Sequence, residues 1–211
     1  MHDLVIFDCD GVLVDSERLT NQVLVDNLAR YDLHVSLSEC MSLFVGGTMS
    51  GVHQQARNLG ADLPDDWVEQ IYTEVYAALR AGTPLVPGVR NVLQRLETAS
   101  VPYCVASNGR PEKMQITLGQ NGLWDRFKDV MFSAQVMGTA KPDPTLFLTA
   151  AQHFGAVRPV VIEDSENGVT AAIRAEMRCL AYASHDDGAG LSALGAEVFT
   201  QMSQLPELLG L

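Results

Sequence analysis

Apolar residues gather along this chain into four short unbroken runs, each ending at a polar turn. Leu4-Val5-Ile6-Phe7 ends at Asp8, and Tyr103-Cys104-Val105-Ala106 at Ser107-Asn108-Gly109. Val130-Met131-Phe132 ends at Ser133, and Val160-Val161-Ile162 at Glu163-Asp164. Runs without alternation predict strands buried on both faces of a parallel sheet. Helical spacing fills the intervals. Val89, Val92, Leu93 and Leu96 share a face, as do Phe147, Ala150, Ala151 and Phe154, the last group closed by Gly155 as a left-handed cap. The alternation predicts an α/β fold built on a doubly wound parallel sheet.

Residues 15–84 break that rhythm, with helical patterns and no strand. Leu19, Val23, Leu24, Leu28 and Tyr31 form one face; Ser36-Leu37-Ser38-Glu39 is a capping-box signature. A third helix is predicted from near Thr48 to Leu59, and a fourth from Pro64 to Gly82 with Trp67, Ile71, Val75 and Leu79 as its stripe. Thr83-Pro84-Leu85-Val86-Pro87-Gly88 leads out as a stiff connector. The predicted organisation is a core of residues 1–14 and 85–211 with a helical cap domain, 15–84, inserted after the first strand.

Composition narrows the partners. The 211 residues carry 14 Lys plus Arg against 26 Asp plus Glu, a net charge of −12. Nucleic acid and anionic membrane need a basic face, so neither is expected. An anionic small molecule would need positive charge collected locally. Cys9, Cys40, Cys104 and Cys179 form no CxxC pair and read as buried residues of a reducing compartment. With no basic leader and no long apolar run, a cytoplasmic location is expected.

Ligands of an open α/β sheet bind beyond the carboxyl ends of its strands. The polar turns above would therefore meet, together with Lys141 in the loop after the third strand. Asp8 and Asp164 would repel one another there, and an oxygen-only set suits Mg²⁺. Magnesium in turn suits a phosphoryl group, whose other oxygens Lys141, the Ser107 hydroxyl and N–H groups near Asn108 would hold. Asp8 is then the candidate nucleophile and Asp10 the acid and base.

These residues also match a family. Phe7-Asp8-Cys9-Asp10-Gly11-Val12 resembles the first motif of the haloacid dehalogenase superfamily, Ser107-Asn108-Gly109 its second, Lys141-Pro142 its third, and Ile162-Glu163-Asp164-Ser165 its fourth. Order and spacing agree over essentially the whole chain. A helical cap after the first motif is similar to the β-phosphoglucomutase-like branch. Ser107-Asn108-Gly109 and the closing Ser203-Gln204-Leu205-Pro206-Glu207-Leu208 look closest to phosphatases of sugar or sugar-acid phosphates such as 6-phosphogluconate. The resemblance implies a Rossmann-like core. It also implies metal ligation by Asp8, Asp164 and the Asp10 carbonyl with Glu163 as a partner, and phosphate binding by Ser107, Asn108 and Lys141. Glu176 stands where the family more often has Gly. The expected partner is a small phosphorylated metabolite, and the expected state a monomer or weak oligomer.

Specificity is expected at the cap side of the site: Ser16, Glu17, Thr20, Gly46 and Met49, with Arg110 and Lys113 placed to meet a sugar-acid carboxylate. Plainer roles compete. Ser107 is also expected to cap the helix after it. Cys9 should face the core by alternation, and the Trp67–Leu79 stripe should be cap core. His2, His34, His53, His153, His185 and Arg57 default to solvated faces. Three other functions compete with the phosphatase. A phosphomutase needs a second phosphate site, but Val45, Met49 and Thr20 stand where relatives of that kind carry Lys, Arg and His. Residues 15–84 hold four cations against ten acids. A dehalogenase needs no metal, and a phospho-receiver or metabolite sensor needs neither Asp10 nor a cap.

Overall fold

The computed structural model describes residues 2–184 and 186–211. Six parallel strands form one sheet in the order β3-β2-β1-β4-β5-β6. They are β1 (Leu4–Phe7), β2 (Tyr103–Ser107), β3 (Met131–Ser133), β4 (Pro159–Glu163), β5 (Arg178–Tyr182) and β6 (Glu197–Phe199). The first four follow the apolar runs. Among the described residues β5 and β6 escape the pattern: β5 opens on a charged Arg178, and β6 is a three-residue edge strand headed by Glu197.

Alternation within the strands feeds two cores. Val5, Phe7, Val105, Ile162 and Leu180 face one side, against Val92, Leu93 and Leu96 of the helix Val89–Thr98. Leu4, Ile6, Cys104, Ala106 and Val161 face the other, against Phe147 and Ala150 of the helix Thr145–Phe154. That helix ends at Gly155 with φ 62°, the left-handed cap its sequence predicts. Cys9 is buried in the first core, and all four cysteines are buried and free.

Between β1 and the helix Val89–Thr98 (α5) that precedes β2 lie four longer helices: α1 (Glu17–Leu28), α2 (Leu37–Phe44), α3 (Met49–Asn58) and α4 (Trp67–Ala81). They share a third core, with Trp67, Ile71, Val75 and Leu79 fully buried among Leu24, Leu28, Phe44 and Val52. Each such side chain contributes about 1.5–3 kcal/mol by leaving water. α4 begins at Trp67 instead of Pro64 because Pro64–Asp66 close a turn, with the Trp67 N–H donating to the Pro64 carbonyl at 3.0 Å. His53 corrects the expectation of a solvated face: its ring stacks on Trp67 at 5.8 Å. Arg57 (paired with Asp65 at 3.5 Å), His34 and His153 are exposed; half-buried His2 reaches the Arg158 carbonyl at 3.3 Å; His185 lies outside the described residues. Val14 bridges Leu85, and the Asp15 N–H donates to the Pro84 carbonyl at 2.9 Å, so the chain leaves the helices beside the place where it joined them. No helix among the described residues is long and apolar enough to cross a membrane.

The capping box forms as read. Ser36 Oγ accepts from the Glu39 N–H at 3.2 Å, and Glu39 Oε2 accepts from the Ser36 N–H at 2.8 Å. Ser36→Ala should therefore lower stability by about 1 kcal/mol, measured as a shift in urea midpoint with unchanged slope.

Candidate active site

Strand order decides where the chemistry collects. β1 is flanked by β2 and β4, with Phe7 level with Val105 on one side and Ile162 on the other. The next residues along each chain, Asp8, Ala106-Ser107 and Glu163-Asp164, therefore emerge together at the carboxyl edge, where connections diverge to the two faces. Lys141 joins them from the loop beyond β3, its ammonium buried. It donates to Asp8 Oδ1 at 2.5 Å, Glu163 Oε1 at 2.6 Å and the Ala106 carbonyl at 2.8 Å. Those three bonds use every proton an ammonium has.

Glu163 is equally committed. Its Oε2 accepts from the Asp164 N–H at 2.9 Å, the Ser165 N–H at 3.1 Å and the Ser165 hydroxyl at 3.0 Å. A Cβ at Gly168 would stand 1.8 Å from its carboxyl carbon, so only glycine permits that packing. Glu163 thus anchors Lys141 and the turn after β4. Ser165, part of the fourth motif but given no role from sequence, holds Glu163 and caps the helix Glu166–Arg174 through the Gly168 N–H at 3.1 Å.

The Asp8, Glu163 and Asp164 carboxylates each bring an oxygen to within 4.8 Å of the others. Gly11, at φ 74°, makes room: a Cβ there would lie 1.9 Å from Asp164 Oδ2. Burial pushes Asp8 up to about 7, with Glu163 and Asp10 adding to the rise and Lys141 opposing it. Burial, then Glu17 and Glu163, holds Asp164 well above the carboxylate range, and burial with Asp10 and Asp8 nearby pushes Glu17 up to about 8. Burial works against the ammonium of Lys141, yet Asp8 and Glu163 overcome it and raise its pKa. Crowded acids of this kind, offering only oxygen, fit a hard divalent cation, which relieves their repulsion. With Glu163 engaged by its neighbours, Asp8 and Asp164 are the side chains suited to hold it.

Asp10 is held from a different side. Its Oδ1 accepts from the Ser16 hydroxyl and from the Lys113 ammonium at 2.8 Å, which leaves Oδ2 toward Gly109. Lys113 lies in the first turn of α6 (Pro111–Gln120), where the helix dipole disfavours a cation. That misplaced charge was the available signal for its role. Burial acts to lower Lys113, but Asp10 more than offsets this and its pKa is raised.

Twelve of the residues singled out from sequence line one cavity of about 90 Å³: Asp8, Asp10, Ser107, Asn108, Lys141, Glu163 and Asp164, with Glu17, Thr20, Gly46, Met49 and Lys113. Two do not. Ser16 turns to Asp10, and Arg110 forks onto Glu69 of α4, at 2.9 Å through one nitrogen, while lying 3.9 Å over the Tyr72 ring. Ser107 also departs from expectation. Its hydroxyl accepts from the Gly109 N–H at 3.0 Å and so closes the turn, whereas α6 begins after Arg110. The Asn108 amide is occupied too, donating to the Gly46 carbonyl at 3.0 Å and accepting from the Lys141 N–H at 2.9 Å. Asn167 reaches the same Gly46 carbonyl at 3.3 Å. Typical small-molecule pockets enclose ~300–1,000 Å³, so the helices stand closed over the site.

Known proteins are similar to this chain in sequence and fold. Residues 2–176 match the family of haloacid dehalogenase-like hydrolases. The chain is 28% identical over 210 residues to the 6-phosphogluconate phosphatase of Escherichia coli, covering 98% of this chain and 94% of that protein. It is 27% identical over 181 residues to hexitol phosphatase B of the same species, covering 83% and 81%. A solved haloacid dehalogenase family hydrolase from Deinococcus radiodurans, with bound phosphate and sodium, superposes with a TM-score of 0.80 at 32% identity, covering 99% and 95%. Sheet order, the four strand-end motifs and a match spanning most of the sequence converge: this chain is a hydrolase of the haloacid dehalogenase-like family.

Proposed function

We propose that the protein is a Mg²⁺-dependent phosphatase of a small phosphorylated metabolite, a sugar or sugar-acid phosphate, and that residues 15–84 act as its cap. The observation that carries this reading is the Asp8 carboxylate, held through Oδ1 by Lys141 at the meeting point of four strand-end turns, with Asp164 beside it. Phosphatase relatives acting on a sugar acid and on hexitols support the substrate class.

Asp8 Oδ2 attacks phosphorus in line with the ester oxygen. The P–O bond to the leaving group breaks, and the Asp10 carboxyl gives that oxygen its proton. An aspartyl-phosphate remains on Asp8. Asp10 then takes a proton from the water that attacks phosphorus, and Asp8 leaves as a carboxylate with inorganic phosphate. Ser16 and Lys113 keep Asp10 aimed through both steps. The Ser107 hydroxyl and the Asn108 backbone N–H steady the equatorial oxygens, and the buried positive charge of Lys141 offsets their negative charge. Asp8, Asp164 and the Asp10 carbonyl would hold Mg²⁺, which would supply charge neutralisation of the phosphoryl oxygens. The cap excludes bulk water. Val45, Met49 and Thr20 line the cavity where a second phosphate would need cations, which favours water over a sugar as acceptor.

A phosphate-release screen over phosphorylated metabolites tests the reading. Activity should require Mg²⁺ and vanish in EDTA; EDTA-insensitive turnover would refute the metal. Mg²⁺ at a hundredfold its Kd should also stabilise the fold by about 2.7 kcal/mol. That gain should shrink below about pH 7, where Asp8 must first lose its proton.

A further inference from the structure

The walls of the cavity differ from its floor. Leu24, Phe44, Val45, Met49 and Val52 give the roof a hydrocarbon surface. One polar atom there has nothing to bond. Thr20 is 7% exposed, lines the cavity, and its Oγ1 has no hydrogen-bond partner among the described residues. Glu17 lies one turn earlier on α1 and lines the same wall. A buried hydroxyl left unpaired within a binding cavity is a donor and acceptor reserved for a ligand.

Charge points the same way. Five carboxylates line the cavity (Asp8, Asp10, Glu17, Glu163 and Asp164) against two lysines. Both lysines are spent: Lys141 on Asp8 and Glu163, Lys113 on Asp10. Arg110, the further cation beside the Ser107 turn, is turned outward to Glu69. A substrate bringing a carboxylate or second phosphate on its leaving group would find no uncommitted cation to meet it.

We propose that the leaving group is uncharged and hydroxyl-bearing, a polyol or aldose, and that Thr20 Oγ1 binds one of its hydroxyls. This rests on the phosphatase reading and narrows it away from sugar acids.

Glucitol 6-phosphate and 6-phosphogluconate share a six-carbon chain and phosphate and differ in one terminal carboxylate, so their kcat/KM ratio reads the proposal. The neutral ester should be favoured at least about tenfold. Thr20→Val should raise KM for glucitol 6-phosphate several-fold with a smaller change in kcat, and Thr20→Ser should restore it. Equal or better turnover of 6-phosphogluconate, or a KM for glucitol 6-phosphate untouched by Thr20→Val, overturns the proposal. If no ester, p-nitrophenyl phosphate included, releases phosphate, the phosphatase reading itself fails. Calorimetric titration of the same two esters into Asp8→Asn then still decides the inference: about tenfold tighter binding of the neutral ester supports it, and equal affinity sinks it.

Discussion

Asp8→Asn is expected to lower kcat by on the order of 10⁴-fold or more with little change in KM, the signature of a group that acts only in the transition state. Asparagine keeps the shape and leaves Lys141 its bonds to Glu163 and the Ala106 carbonyl. What it loses is the carboxylate oxygen proposed to form the bond to phosphorus. The fold should survive. Asp8 is a buried acid lifted to about 7, so removing its charge relieves crowding as well as a contact. Thermal melting should therefore move by only a few degrees while phosphate release all but stops. Retention of more than about 1% of wild-type turnover would place the nucleophile elsewhere, since the effect of losing it should be far larger.

Lys141→Met should be the most damaging single change to the fold. The ammonium lies between Asp8 and Glu163, both buried, and methionine of similar length would leave two carboxylates and a carbonyl without their donor. Removing one partner of a buried ionic cluster costs about 3–5 kcal/mol. For a chain this long that is a fall in Tm of about 10 °C. The loss should depend on pH with a definite sign. Carboxyls whose folded pKa lies above the unfolded value bind more protons when folded, so stability falls as pH rises through that range. Urea midpoints should thus separate wild type and Lys141→Met more at pH 8 than at pH 5. Adding Glu163→Gln should recover part of the loss, because one stranded charge is gone. A variant as stable as the parent at pH 8 would mean the cluster holds nothing together.

Much of this was legible because its signals are local. The runs before Asp8, Ser107 and Glu163 are strands, and chain order alone brings their ends to one edge. What stayed hidden depends on where long side chains finish. Arg110 and Lys113 sit three residues apart and look alike in sequence, yet one folds outward over Tyr72 and the other inward onto Asp10. Nothing in their spacing separates them; α4, packed from forty residues away, does. Ser16 likewise turned out to serve Asp10. Strand β6 is too short for a pattern to declare itself. Glu176, the departure from the family's glycine, takes φ 56° itself, so the backbone kept the conformation while the side chain changed.

The Gly46 carbonyl carries a consequence of its own. One oxygen is grasped by two amides rooted on different strand ends, Asn108 beside β2 and Asn167 beyond β4. At φ 76° the loop already rests so near Ser165 that an added methyl carbon would sit 2.7 Å from its Cβ. A guest one carbon too long should lift that oxygen off both amides at a stroke. Tolerance for chain length should therefore drop like a step, with successive homologues accepted alike until one is refused outright.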